Sequence, residues 1–316
     1  MNTPNTHFNY VNYLWNEEKA AQLEGNEVDL FLYRSNLLGA DLRITNYGGG
    51  NTSCKTKELD PLTKTWVEVM WIKGSGGDIG TMTRSGLAGL YVDKLNALKG
   101  IYRGLEHEDE MVGLFGHCLY DLDSKAPSID TPLHGFLPFK HIDHLHPDAA
   151  IAIAAAKDGE EITQTLWKGA IAWVPWQRPG FDLGLKLREA LDKNPGIRGI
   201  MLGGHGLFTW GDTSYDCYLT SLEVIETASA YLAENYGKKR PVFGGQKINS
   251  LDPDQRKSQA AKLAPLLRGL ASSESRMVGT FTDKEVVLEF SNSQDLQRLA
   301  PMGTSCPDHF LRTKIS

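Results

Sequence analysis

Two histidines separated by a single residue, His144 and His146, restrict the local structure of this chain more than any other feature. They follow Ile142 and precede Pro147, a context typical of a short β-strand. Side chains at positions i and i+2 of a strand project to the same face, whereas on a helix the same pair would splay apart. The pattern therefore predicts a strand that presents two imidazoles, on one face, to a single ion.

His205 is a third candidate ligand, because it follows an apolar run at residues 200–202 and lies in a turn flanked by glycines. The histidines are also clustered: four of the nine lie between His134 and His146, which argues against scattered surface residues. Three neutral imidazoles leave one coordination position open, the arrangement of a catalytic rather than a structural zinc ion. We therefore predict a metalloenzyme with Zn²⁺ on His144, His146 and His205.

Composition excludes several classes of partner. The 316 residues, 41% of them hydrophobic, can form one large core with or without an appendage. The formal net charge of −6 argues against nucleic acid or an anionic membrane as the main partner. The longest apolar run, residues 149–156, is too short to span a bilayer, and the N-terminus lacks the pattern of a signal peptide. Four widely spaced cysteines are typical of reduced thiols in a cytoplasmic protein.

The order of helical and strand-like segments predicts an α/β fold. Over residues 1–245 we expect three α/β/α layers around a mixed, largely antiparallel central sheet. Composition changes after Gly245, so residues 246–316 are predicted to form a small α+β extension or a linker stub, with strands between 277 and 290. Local patterns also predict a strand at 43–46 and a helix at 85–98.

Two glycine-rich turns, at residues 47–51 and 74–78, each follow a predicted strand. Glycine lets backbone N–H groups approach a phosphate closely, and Asn51 and Ser75 add neutral donors beside Gly50 and Gly76. The alternative is that both segments are simply tight turns. A dinucleotide site is excluded by spacing, because Ile79 stands where the third glycine of that fingerprint would be.

Asp130 precedes Thr131 and Pro132, which is a typical start of a helix. Its carboxylate has two possible roles: an N-cap of that helix, or a general base held near the metal. His134, one helical turn further on, either orients the substrate or Asp130, or packs in the core.

Taken together, these segments resemble the class II, zinc-dependent aldolase/adducin family. The resemblance covers about residues 30–240. Within the family, the chain is most similar to the aldolase part of bifunctional rhamnulose-1-phosphate aldolase/lactaldehyde dehydrogenase proteins. It implies zinc on the three histidines, Asp130 as the catalytic acid/base, and tetramers with sites between subunits. The matching segments, in family order, are Gly50–Ser53, Lys73–Gly76, Pro127–His134, His144–Pro147 and His205–Gly206. The residues that the resemblance places near the substrate phosphate are Asn51, Ser75, Gly76 and Ser128.

Three departures from the family pattern stand out. Asp130 replaces the glutamate of many members, which shortens the reach by one methylene, and Ile129 replaces a second serine. No dinucleotide fingerprint follows residue 245, so a stand-alone aldolase domain or a truncated chain is expected, without the dehydrogenase half.

The resemblance implies cleavage of L-rhamnulose 1-phosphate to dihydroxyacetone phosphate and L-lactaldehyde, a step of rhamnose catabolism. Alternatives are cleavage of another ketose phosphate such as fuculose 1-phosphate, a sugar-phosphate 4-epimerase that shares the retro-aldol step, and an adducin-like scaffold without activity. Intact zinc ligands argue against the scaffold.

Overall fold

The structure is a computed structural model that describes residues 7–45, 48–237, 241–303 and 305–308. These residues form two compact units. The first contains the described residues up to Glu234 together with Ser305–Asp308, and the second contains those from Asn235 to Gly303. The division therefore falls before the predicted boundary at residue 245, and a short segment late in the chain belongs to the first unit.

The strands of the first unit form one sheet. In the described residues the strands are β1 (Asn51–Leu59), β2 (Trp66–Lys73), β3 (Leu87–Tyr91), β4 (His141–Leu145), β5 (Ile171–Val174), β6 (Gly199–Leu202) and β7 (Gly206–Gly211). Their order across the sheet is β3-β2-β1-β4-β7-β6-β5. All neighbours are antiparallel except β5 and β6, which are parallel. The predicted mixed, largely antiparallel sheet is confirmed.

Helices cover both faces of this sheet. The helices of the first unit are α1 (Glu17–Gln22), α2 (Glu27–Gly39), α3 (Val92–Ala97), α4 (Glu108–Leu114), α5 (Thr131–Gly135), α6 (Asp148–Ala154), α7 (Gly159–Trp167), α8 (Phe181–Lys193) and α9 (Ser214–Tyr236), which ends in the second unit. One core cluster joins α2, α6 and α9 to residues such as Leu207 of β7. Another joins α5 and α8 to Phe208, the next residue of the same strand. Because successive strand residues face opposite ways, the two clusters lie on opposite faces, and the α/β/α layering is confirmed.

Strand β4 lies at the middle of the sheet, between β1 and β7. His144 pairs with Asn51 on one side and with Phe208 on the other. All five residues of β4 are buried, although three of them are polar. Polar groups in such a position need partners within the protein. The partners of the polar β4 side chains must therefore come from residues that pack against the two faces of the sheet.

Two local predictions in the first unit were wrong. Residues 85–98 do not form one helix but a 3-10 turn, the edge strand β3 and helix α3. All five residues of β3 are buried, so its continuous apolar run lacks the alternation that identifies a half-exposed strand. Residues 41–44 form a turn rather than a strand, with Asp41 O accepting hydrogen bonds from the backbone N–H of Ile44 and Thr45; Asn46 lies outside the described residues.

The second unit is helical where it is described. It contains α10 (Pro253–Ala271), α11 (Glu285–Ser291) and α12 (Leu296–Leu299), and Asp252 caps α10 through its side chain. The strands predicted between 277 and 290 are absent from this part of the chain, and only the single bridge Gln246–Ser293 has strand character there. The apolar residues 286–288 are consecutive and lie in α11, where Val286 and Val287 remain exposed, so a short apolar run within a helix was misread as a strand.

Across the described ranges, no helix has both the length and the apolar content required to cross a membrane.

Candidate metal and substrate site

The three predicted ligands converge on one point. His144 lies in β4, His146 follows that strand, and His205 lies in the turn between β6 and β7. The Nε2 atom of His144 is 3.1 Å from Nε2 of His146 and 3.1 Å from Nε2 of His205. Two nitrogens bound tetrahedrally to one zinc ion at its usual bond length are about 3.3 Å apart, so the spacing fits one shared ion.

Backbone geometry at the glycines lets the imidazoles meet. A Cβ atom on Gly206 would lie 2.6 Å from both Cδ2 of His146 and the carbonyl oxygen of Leu145, so a larger residue could not stand there. Gly204 has a φ of +63°, in the left-handed region that favours glycine. The glycines beside His205 therefore bring the β6–β7 turn close against His146.

Burial also affects the charge of two of the rings. Burial holds the pKa values of His144 and His205 well below the usual histidine value, so both imidazoles are neutral at pH 7 and carry a lone pair. His144 Nδ1 lies 3.2 Å from the carbonyl oxygen of Leu207. An N–H donated there leaves the Nε2 lone pair facing the other two rings. The ring also stacks on Phe208, with centroids 4.3 Å apart.

The residues of β4 that face the other way are not ligands. Asp143 accepts from Arg34 Nε at 3.0 Å, with both side chains fully buried. His141 Nδ1 lies 2.7 Å from Nη1 of the same arginine, and its Nε2 lies 3.0 Å from Glu27 Oε1. His141, although part of the histidine cluster in the sequence, thus belongs to an ion-pair network behind the metal strand.

Asp130 occupies the N-cap position of α5, but within this described helix its side chain makes no capping hydrogen bond. The carboxylate instead accepts from the hydroxyl of Ser128 at 3.4 Å and from the side chain of Asn51. Burial raises the pKa of Asp130, opposed first by the positive charge of Lys73. A carboxyl with a raised pKa can exchange protons nearer neutral pH than an ordinary aspartate. Of its two possible roles, the capping role is therefore not supported by the hydrogen bonds of Asp130, and the role of general base stays a prediction.

The two glycine turns approach Asp130 from the ends of β1 and β2. Asn51 is fully buried, and its Nδ2 lies 3.4 Å from the carbonyl oxygen of Lys73. The N–H of Ser75 donates to the carbonyl oxygen of Ala126 at 3.0 Å, which joins the second turn to the segment containing Ser128. The structure therefore brings the predicted phosphate donors into one region.

Both turns contain backbone that only glycine adopts readily. Gly50 and Gly76 have φ values of +69° and +77°. A Cβ atom on Gly50 would also lie 2.8 Å from the carbonyl oxygen of His144, so the first turn is packed directly against the metal strand.

His134 is fully buried, and its Nδ1 lies 2.8 Å from the hydroxyl of Ser53. Its ring packs against Phe208 at 5.3 Å between centroids, and burial keeps its pKa well below the usual value. The carbonyl oxygen of His134 accepts from Nζ of Lys55 at 3.2 Å. Of the roles considered for His134, these contacts support packing in the core.

Sequence reasoning missed one neighbour of the ligands. Asp308 Oδ1 lies 2.7 Å from His146 Nδ1, and Cys306 is close enough for His146, Cys306 and Asp308 to form a further group of possible metal ligands. Nothing in the local sequence around Asp308 indicated this contact across 162 positions. The four cysteines are buried free thiols.

Known proteins resemble this chain over most of its length. Residues 32–232 match the family described as the Class II Aldolase and Adducin N-terminal domain, and residues 258–316 match Aldolase class II, second domain. A Bacillus subtilis (strain 168) protein named "Uncharacterized oxidoreductase YuxG" is 41% identical over 304 residues, or 96% of this chain. The match spans only 43% of that relative.

Solved structures share the fold. The N-terminal class II aldolase domain of a conserved protein from Thermoplasma acidophilum is 31% identical, with a TM-score of 0.60; the match covers 66% of this chain and 94% of that one. A sugar-phosphate aldolase from Thermotoga maritima has a TM-score of 0.50 at 15% identity, covering 69% of this chain and 99% of that one. At that identity the second likeness concerns the fold alone.

Proposed function

Because this chain belongs to the class II aldolase and adducin family, we propose that it is a metal-dependent aldolase that cleaves a ketose 1-phosphate. The observation that carries the proposal is the convergence of three buried imidazoles in the unit that also contains Asp130, whose partly buried carboxylate makes no capping hydrogen bond to its helix. Family membership supports a lyase-type enzyme. A non-enzymatic, adducin-like scaffold would not need an intact set of metal ligands, so the three histidines argue against that alternative.

The residues present fit a divalent ion, and we propose Zn²⁺ on His144, His146 and His205. Such an ion, when bound, polarises a ketose carbonyl and stabilises negative charge on oxygen. The three histidines would contribute the ligand nitrogens, since their rings are buried and their Nε2 atoms lie close together. Among the described residues three histidine side chains converge on this point, and a tetrahedral ion held by three ligands keeps a coordination position for substrate.

Asp130 is proposed to act as the general acid and base on a substrate hydroxyl. In the cleavage direction its carboxylate takes the proton from the substrate hydroxyl on the carbon that becomes the aldehyde when the carbon–carbon bond breaks. In the reverse direction it returns a proton to the same oxygen. Its raised pKa places that exchange closer to neutral pH, while Ser128 and Asn51 hold the carboxylate in place by hydrogen bonds.

The glycine turns are proposed to hold the phosphate through Gly50, Asn51, Ser75, Gly76 and Ser128. Lys73 supports this assignment, because it is a largely buried cation whose charge acts on Asp130. In a chain of net charge −6, such a local cation supplies attraction for an anion that the overall field does not. Fixing the phosphate would align the reacting carbons with the metal and the base.

As the substrate we propose L-rhamnulose 1-phosphate, cleaved to dihydroxyacetone phosphate and L-lactaldehyde, in a cytoplasmic homotetramer. This choice rests on the sequence resemblance described above. Fuculose 1-phosphate and other ketose 1-phosphates are the competing substrates.

The test is a panel of ketose 1-phosphates incubated with zinc-loaded protein, with triose phosphate measured by a coupled enzyme assay. We expect release of dihydroxyacetone phosphate, fastest from L-rhamnulose 1-phosphate and roughly 10²–10⁴-fold slower in an Asp130→Asn control. Isomerised sugar phosphate without triose release would instead identify an epimerase. No change in any substrate by zinc-loaded protein would reject the enzymatic proposal.

A further inference from the structure

The segment Ser305–Asp308 follows the second unit in the sequence but belongs to the first unit in space. It delivers a carboxylate to a metal ligand: Asp308 Oδ1 lies 2.7 Å from Nδ1 of His146. Both residues are buried, with 6% and 4% of their surface exposed. The contact is therefore shielded from solvent, unlike the exposed ion pairs on the surface of this unit.

The carboxylate of Asp308 is held from two further sides. A Cβ atom on Gly49 would lie 2.7 Å from each of its oxygens, so the carboxylate packs directly against the backbone of the first glycine turn. The thiol of Cys306 lies 3.8 Å from Asp308 Oδ2 and is also buried. Gly49 thus provides the space that Asp308 occupies.

We propose that Asp308 is a positioning residue of the metal site, which makes Nε2 the metal-binding nitrogen of His146. A neutral imidazole has one N–H and one lone pair. A carboxylate at Nδ1 accepts the N–H, so the lone pair is left on Nε2, the atom 3.1 Å from Nε2 of His144. A carboxylate in this position also orients the ring and raises its basicity as a ligand. The inference rests on the metal site of the proposed function.

The same atoms permit a different reading, in which His146, Cys306 and Asp308 bind an ion of their own. That reading needs the lone pair of His146 on Nδ1, whereas convergence with His144 and His205 needs it on Nε2. One neutral ring cannot supply both. The geometry favours the triad, because it brings three Nε2 atoms together at 3.1 Å contacts.

The test compares Asp308→Ala, Asp308→Asn and the segment control Cys306→Ser with the parent, all as the full chain. Metal-free proteins are titrated with Zn²⁺ against a chromophoric chelator, and with Co²⁺ while the visible absorption spectrum is recorded. We expect Asp308→Ala to weaken Zn²⁺ binding by roughly 10–100-fold and to alter the Co²⁺ spectrum. Asp308→Asn, which keeps an acceptor oxygen without the charge, should lose less, and Cys306→Ser should bind like the parent.

Gly49→Ala provides an independent perturbation, because its methyl group must displace the Asp308 carboxylate. It should weaken Zn²⁺ binding in the parent and have no further effect in Asp308→Ala. Should Asp308→Ala fail to fold, as judged by thermal unfolding of the metal-free protein, Asp308→Asn and Gly49→Ala carry the test. Parent-like affinity and spectra in the folded variants would overturn the proposal, as would a loss in Cys306→Ser equal to that in Asp308→Ala. A parent that binds no metal would instead reject the metal site of the proposed function.

Discussion

Replacing Asp130 by asparagine separates a catalytic carboxylate from a structural one. The side chain makes no capping hydrogen bond to α5, and its contact with Ser128 Oγ is long at 3.4 Å. Asparagine has nearly the same volume and removes a charge that burial disfavours. We therefore expect the free energy of unfolding to change by less than about 1 kcal/mol.

The expected effect on turnover is far larger. A positioned general base contributes roughly 10²–10⁴-fold to the rate, or about 3–5 kcal/mol of activation free energy. The assay measures kcat for triose phosphate release at saturating substrate and zinc, together with zinc content and the urea midpoint. Asp158→Asn is a matched control, because Asp158 also occupies an N-cap position without a side-chain capping bond, at the exposed start of α7.

The reasoning would be refuted if Asp130→Asn turned over at the rate of Asp158→Asn. Loss of zinc in parallel with activity would also count against it, since Asp130 is not proposed as a ligand.

Three further predictions follow from the contacts. Asn51→Ala should weaken binding of a phosphorylated ketose by roughly 10–100-fold, the worth of a hydrogen bond to a charged group, without changing zinc content; equal loss for the unphosphorylated sugar would place the phosphate elsewhere. Arg34→Ala should lower the free energy of unfolding by about 3–5 kcal/mol, because it leaves the buried Asp143 without its partner at 3.0 Å; a urea midpoint near that of the parent would contradict this. The metal-free protein should lose stability as the pH falls from about 6.5. Burial lowers the pKa of His141 to about 4 and holds the pKa values of His134, His144 and His205 well below the usual histidine value, so protons bind the unfolded chain first. A urea midpoint constant between pH 7 and pH 5 would show that these rings are not held neutral.

The metal site was the part of the structure most accessible from the sequence. His144 and His146 are two residues apart on a strand, and the glycines around His205 mark a turn that admits close approach. Such local patterns can be recognised without knowledge of the fold, because strand periodicity and glycine conformation depend on neighbouring residues in the sequence.

What the sequence did not reveal depends on distant contacts. The edge strand β3 is buried along its whole length, so its apolar run resembled part of a helix. Whether Asp130 caps α5 or faces the site depends on where Asn51 and Ser128 place their donors. Asp308 reaches His146 across 162 positions, and no periodic pattern connects two residues that far apart.

Zinc stoichiometry in the parent and in His205→Ala tests the central claim most directly. The ion is measured by elemental analysis of chelator-treated, zinc-reconstituted protein after removal of excess metal. Three converging imidazoles predict one zinc ion per chain in the parent and a large loss, together with lost aldolase activity, in His205→Ala. One full zinc ion per chain in folded His205→Ala would contradict the three-histidine site on which the proposed function depends.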